Sequence, residues 1–214
     1  MTLVGVYLQA NMKKLAVLIS DGGTGTNLQA IIDGVESKAI NAQLIIVISD
    51  TEKALGLGRA KKHHIPYYIL QPQDVLEQIL KNTYRVDFVI LAGWKKFISK
   101  KMIELFANRI FNLHPGLIPD TVNGVVKNPD QTRGLWNRGK FTEAAVRKFL
   151  ETKATYAGSS IHFLTQEFDF GPVLARCFEK IQPNDTVETL YRRLKVKENA
   201  LYVDVLSKLC NKQS

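Results

Sequence analysis

The sequence predicts an α/β fold: a doubly wound, mostly parallel sheet with helices on both faces. Three observations predict it. Short apolar runs such as KLAVLIS (14–20), AQLIIVIS (42–49) and VDFVILAG (86–93) end in glycine or small polar residues, the pattern of strands buried on both faces. Segments with apolar residues at helical spacing lie between them, as in NLQAIIDGVE (27–36). Repeated strand–helix–strand units require parallel pairing with right-handed crossovers.

The elements follow in order. The first strand (14–20) leads through a glycine-rich turn into the helix at 27–36, and the second strand (42–49) into a helix over 52–64. PYYIL (66–70) is a third strand, a short helix lies near 73–82, and 86–93 is the fourth strand. SKKMIELFA (99–107) is a helix and RIFNLH (109–114) the next strand, after which Pro115, Gly116 and Pro119 stop regular structure. TEAAVRKFLET (142–152) is a helix, GSSIHFL (158–164) and PVLARCFEKI (172–181) are later strands, and a final helix spans about 186–209 with Asp185 as its expected cap. The segment 119–141 has no period and is rich in Gly, Asn, Pro and Asp. A structureless stretch of this length is expected to be a mobile lid over the crevice, with Arg133, Trp136 and Arg138 as its contacts.

Composition narrows the function. The 214 residues suit one domain, read as 12–214, with 1–11 as an N-terminal extension before Met12. No apolar run reaches the roughly 18 residues of a membrane helix, and two cysteines make neither a disulfide framework nor a zinc site. A reducing cytoplasm, no membrane and no metal are therefore expected. The formal charge of +9 is spread over helices and not interleaved with aromatic residues, which favours an anionic small molecule over nucleic acid.

Two stretches carry chemistry. In SDGGTGTNLQA (20–30) glycines let the backbone approach a ligand, and the helix that follows offers unpaired N–H groups to a phosphate. No Gly-Lys-Ser/Thr follows, so a Walker loop is excluded. Gly23 and Gly25 half-meet the dinucleotide pattern, with Leu28 in its third place and Asp50 available for a ribose. A nicotinamide-dependent oxidoreductase is thus an alternative from another class. In FNLHPGLIPD (111–120) Asn112 and His114 stand two residues apart at a strand end, on one side of the sheet, where open α/β sheets bind ligands. Alone, they would equally suit strand-end residues satisfying backbone groups. His162, alternating with apolar residues, reads as a buried supporting histidine, and His63 and His64 as surface residues at a basic helix end.

The glycine loop with NLQAII, then VILAGWKKFIS, FNLHPGLIP and SSIHFLTQEFDFGPVL, in that order, resembles the glycinamide ribonucleotide formyltransferases of purine synthesis. The resemblance runs from Met12 to the final helix. It implies catalytic roles for Asn112, His114 and Asp169, and substrate phosphate and ribose contacts at Gly25, Thr26, Asn27, Lys195 and Glu198. It implies a folate-lining segment of Trp94, Lys95, Lys96, Phe97 and Ile98, with the loop from Leu164 to Asp169 around the pterin. The co-substrate would be 10-formyltetrahydrofolate, without a metal, in a monomer or homodimer. Formyl transfer needs a fixed donor for the developing oxyanion, which Asn112 supplies, and a group to carry the amine's proton, which His114 supplies. A carboxylate from Asp169 would orient the ring and favour its charged form. A related enzyme acting on an amino-sugar nucleotide is the alternative within the fold.

Overall fold

The computed structural model describes residues 12–211; the N-terminal extension read at 1–11 lies outside them. Seven strands form one sheet: β1 Lys13–Ile19, β2 Ala42–Ser49, β3 Tyr67–Ile69, β4 Phe88–Leu91, β5 Ile110–His114, β6 Tyr156–Phe163 and β7 Val173–Lys180. Their spatial order is β3-β2-β1-β4-β5-β6-β7. The first five pair in parallel, whereas β6 runs antiparallel to both β5 and β7. The chain leaves β1 toward β3 and then returns to place β4 on the other side of β1. The crevice of a doubly wound sheet therefore opens at the carboxyl ends of β1 and β4.

The helices are α1 Thr26–Glu36, α2 Gly56–Lys62, α3 Leu76–Gln78, which continues into a π-helical turn at Ile79–Thr83, α4 Lys100–Leu105, α5 Thr142–Glu151 and α6 Val187–Cys210. They divide the core in two. Leu15, Val17 and Ile19 of β1 face a layer that holds Leu28, Ile31, Ala60, Val146, Phe149, Leu194 and Tyr202. Ala16 and Leu18, on the alternate face, meet Leu80, Met102 and Phe106. Strand alternation thus assigns α1, α2, α5 and α6 to one face and α3 and α4 to the other. Beyond α3 and α4, the second face is covered over β5 and β6 by loops.

Helix boundaries differ from expectation where local chemistry decides them. Thr186, not Asp185, caps α6: its side chain accepts from the Thr189 N–H while the Thr189 hydroxyl takes the Thr186 N–H, a reciprocal capping box. Asp185 instead receives Thr189 Oγ1 at 2.8 Å and the Arg193 guanidinium at 2.6 Å, which holds its carboxyl well below the usual range. The second helix begins only at Gly56, because Glu52 and Lys53 lie in a turn closed by Ser49 and Thr51. Residues 119–141 contain no helix or strand, only a single bridge between Lys127 and Arg133. No helix among the described residues is long and apolar enough to cross a membrane.

Candidate active site

Asn112 and His114 extend from β5 on the same face as Ile110, opposite Phe111, which packs into the first core. The antiparallel pairing with β6 sets His162 across from Asn112 and Ser160 across from His114. Side chains directly opposite on one face are neighbours, so four polar groups gather on the part of the face that no helix covers. Ser160 fixes the turn after β5: its hydroxyl donates to Gly116 O at 2.7 Å and accepts from the Ile118 N–H at 3.0 Å.

The two histidines meet backbone carbonyls through opposite ring nitrogens. His114, 2% exposed, has Nε2 at 2.6 Å from the Trp136 carbonyl oxygen. A carbonyl only accepts, so Nε2 carries a proton, and Nδ1 is the ring nitrogen left for exchange. Nδ1 lies 3.6 Å from Asp169 Oδ1. His162 is fully buried, with Nδ1 donating to Phe163 O at 3.0 Å, so its Nε2 accepts from Asn112 Nδ2 at 3.4 Å. Burial and the neighbouring His114 lower its pKa to about 4, which keeps it neutral near pH 7. The Asn112 amide is thereby oriented with its nitrogen toward His162, leaving its second N–H for another acceptor.

Asp169 comes from the loop after β6, in the left-handed conformation (φ 49°) that aspartate tolerates better than most side chains. Burial would raise its carboxyl, but the neighbouring His114 and the Gly139 N–H at 2.7 Å outweigh it, and the pKa is lowered. The segment 119–141 reaches this loop through Trp136 Nε1, which donates to Asp169 O at 2.9 Å, and through Arg138, which bonds Phe168 O at 3.0 Å and pairs with Glu167. The expected lid is thus a docked wall whose backbone fixes the histidine. Gly116 makes this approach feasible, since a Cβ there would run into the Trp136 carbonyl and stand 3.0 Å from His114 Nε2.

The glycine turn lies at the carboxyl end of β1. Gly25 (φ 70°) precedes α1 with no side-chain cap and no acidic residue in the first turn. Asn27, 8% exposed, has a buried Oδ1 without a partner among the described residues. Lys195 and Glu198 lie on α6, in the same helical layer as α1 and on the sheet face opposite Asn112 and His114. Glu198 is fully buried, with Oε1 receiving Ser159 Oγ at 2.6 Å and Oε2 at 2.6 Å from Lys195 Nζ. Oε2 lies against the Lys195 ammonium yet has no hydrogen bond among the described residues, so the geometry supports Glu198 as the partner that holds Lys195. Burial alone would lower the Lys195 pKa, yet Glu198 and Tyr191 raise it.

The expected folate segment splits in two. Trp94, Ile98 and Leu164 pack against the second core cluster, and the buried Trp94 Nε1 has no acceptor among the described residues. Phe97 is 93% exposed, a whole aromatic face left to solvent beside the crevice. Lys95 bridges the segment to the glycine turn, with its N–H on Ser20 Oγ at 3.0 Å and its Nζ on Asp21 at 3.0 Å, while Lys96 faces Asp50 at 4.0 Å. His63, expected at the surface, is instead bonded to Glu36 at 2.7 Å and Gln29 at 3.0 Å. What sequence reasoning missed is mostly backbone: the Trp136 carbonyl and the Gly139 N–H carry no side-chain signature.

Comparison with known proteins agrees with this geometry. The formyl transferase family matches residues 13–206. The chain is 33% identical over 219 residues to phosphoribosylglycinamide formyltransferase of Dictyostelium discoideum, covering 92% of this chain and 98% of that protein. It is 30% identical over 212 residues to the chloroplastic phosphoribosylglycinamide formyltransferase of Arabidopsis thaliana, covering 94% of this chain but spanning only 66% of that protein's length. Among solved structures, glycinamide ribonucleotide transformylase 1 from Symbiobacterium toebii superimposes with a TM-score of 0.79 at 33% identity, covering 94% of this chain and 89% of that one. The chain belongs to the formyl transferase family, in its phosphoribosylglycinamide formyltransferase branch.

Proposed function

We propose that the protein transfers a formyl group from 10-formyltetrahydrofolate to the amine of glycinamide ribonucleotide, a step of purine biosynthesis. One observation carries the reading: Asn112, His114 and Asp169, far apart in sequence, meet on the helix-free part of one sheet face, while an uncapped helix start lies at the carboxyl edge of the same sheet. The family assignment supports the same conclusion. When bound, the folate supplies the formyl carbon that the amine attacks.

In this reading the ribonucleotide phosphate rests on the Gly25–Thr26–Asn27 turn, with Lys195 adding positive charge from the same layer. The substrate then crosses the carboxyl edge of the sheet so that its amine reaches the opposite face. The free N–H of Asn112, set by His162, donates to the oxygen that gains negative charge; a donor of this kind contributes about 3 kcal/mol of barrier lowering. His114 Nδ1 takes the proton that the amine releases, since Nε2 is already committed to Trp136 O. Asp169, 3.6 Å away, stabilises the imidazolium that results, and the proton passes on to the folate nitrogen as its bond to the formyl carbon breaks. Phe97, Trp94 and Leu164 line the place of the heteroaromatic donor.

The test is an assay of the purified protein with glycinamide ribonucleotide and 10-formyltetrahydrofolate, following loss of the formyl group from the folate by absorbance. Turnover dependent on both substrates is the expected result. Absence of turnover, with no binding of the ribonucleotide by calorimetry, would overturn the assignment.

A further inference from the structure

We infer that Arg59, on α2 and outside every motif considered above, is a positioning residue for the phosphate-binding turn. The inference rests on the proposed function for the identity of the phosphate ester, but not for the anion site itself. Arg59 donates twice to a single oxygen, from Nε at 3.2 Å and from Nη2 at 3.0 Å to Thr24 O. Its third bond, Nη1 to Gln29 Oε1 at 2.9 Å, fixes the plane of the guanidinium. Gln29 is held in turn, its Nε2 reaching Asp33 Oδ1 at 2.8 Å and His63 Nε2 at 3.0 Å, and His63 Nδ1 reaches Glu36 at 2.7 Å. The chain of bonds ties the glycine turn to α1 and α2 together.

Peptide planarity converts this grip into an effect on the ligand. Thr24 C=O and Gly25 N–H belong to one trans peptide group, so they point in opposite directions. With the carbonyl anchored on Arg59, the Gly25 N–H is turned away from α2, and no backbone acceptor takes it among the described residues. Gly25 N–H is one of the donors an anion would use at the start of α1. Two further observations fit. The position a Gly25 Cβ would occupy is 3.1 Å from Arg59 Nε, so the guanidinium lies directly behind the turn. No acidic side chain stands in the first turn of α1 to cancel its charge. Arg59 therefore sets the donor's direction and adds positive potential without a role in the chemistry.

The test separates binding from turnover. Arg59→Ala is expected to raise the KM for the ribonucleotide and the dissociation constant for inorganic phosphate about 10-fold each, the worth of a charge-assisted hydrogen bond. The KM for the folate donor and kcat should stay within about twofold, because Asn112 and His114 lie on the other sheet face. Arg59→Lys, which keeps the charge but not the planar fork of donors, should recover part of the loss. Gln29→Met, which frees the guanidinium but leaves it in place, should weaken phosphate binding in the same direction by a smaller factor, and it guards against misfolding of the alanine variant. Thermal melts establish that each variant is folded. Phosphate affinity unchanged in both Arg59→Ala and Gln29→Met, or a fall in kcat with both KM values unaltered, would refute the inference. Phosphate binding is read without turnover, so it judges Arg59 even if the wild-type protein fails to formylate glycinamide ribonucleotide.

Discussion

Asp169→Asn gives the sharpest test of the site, because the asparagine keeps the size and removes only the charge. The His114 ring is 2% exposed at its side chain and Asp169 17%, and they stand 3.6 Å apart. At an effective dielectric constant near 20, a unit pair at that distance gains about 5 kcal/mol. Losing that attraction removes stabilisation from the imidazolium that forms as the amine gives up its proton. Allowing for partial proton transfer and for the amide dipole, kcat should fall about 10³-fold with little change in substrate KM. Steady-state assays at saturating concentrations of both substrates measure this, with inorganic phosphate binding as a control on the other sheet face. The pH dependence has a definite sign. The folded carboxyl is lowered, so its contribution to stability is present above the unfolded value near 3.9 and is lost as pH falls through the folded value. Acid unfolding of the asparagine variant should lack that component. A variant within tenfold of wild-type turnover would show that the carboxylate does not serve the imidazole.

Three other outcomes follow from the same geometry. Gly116→Ala places a Cβ against the Trp136 carbonyl, so the bond to His114 must break or the wall must shift; turnover should drop about 100-fold, and the melting temperature should fall as well. His162→Phe fills the same buried volume but withdraws the acceptor of Asn112, and should cost about 10- to 100-fold in kcat while leaving phosphate affinity intact. It should also flatten stability against pH: wild-type His162, at about 4 when folded and near 6.5 when unfolded, makes stability fall as pH drops through that interval, and the variant cannot. Thr186→Ala removes the α6 cap and should cost about 1 kcal/mol in denaturant unfolding with kcat unchanged.

Much of this was legible in the sequence because burial on both faces leaves a simple trace. Strands such as AQLIIVIS are apolar throughout, and β2 spans the same residues that the pattern predicts. Asn112 and His114 stood out because two polar side chains at a two-residue spacing interrupt such a run. Other features lacked a one-dimensional trace. The wall made by 119–141 is held by carbonyl and N–H groups that every residue has, so its composition suggested mobility where the fold supplies contacts. Asp185 and Thr186 are both good capping residues, and only the reciprocal bond with Thr189 decides between them. Lys195 and Glu198 could be paired from their spacing, but Ser159, which occupies the other carboxylate oxygen, lies 39 residues away in sequence. The bonds of His63 to α1 likewise depend on two helices lying side by side.

The site assigns different work to two histidines without giving either a distinctive neighbour in sequence. Backbone oxygens make the choice. Phe163 O accepts the Nδ1 proton of His162, so its Nε2 lone pair faces Asn112; Trp136 O accepts the Nε2 proton of His114, so Nδ1 is the nitrogen beside Asp169. Moving the His162 proton to Nε2 would set two N–H groups face to face at Asn112, and taking the His114 proton off Nε2 would leave two acceptors face to face at Trp136 O. Burial then separates the two further, since full enclosure and the presence of His114 keep His162 neutral. His114 has a carboxylate beside it and can accept charge during reaction. A chemistry that needs one fixed amide and one proton carrier is thus built from two similar rings, sorted by which nitrogen meets a carbonyl.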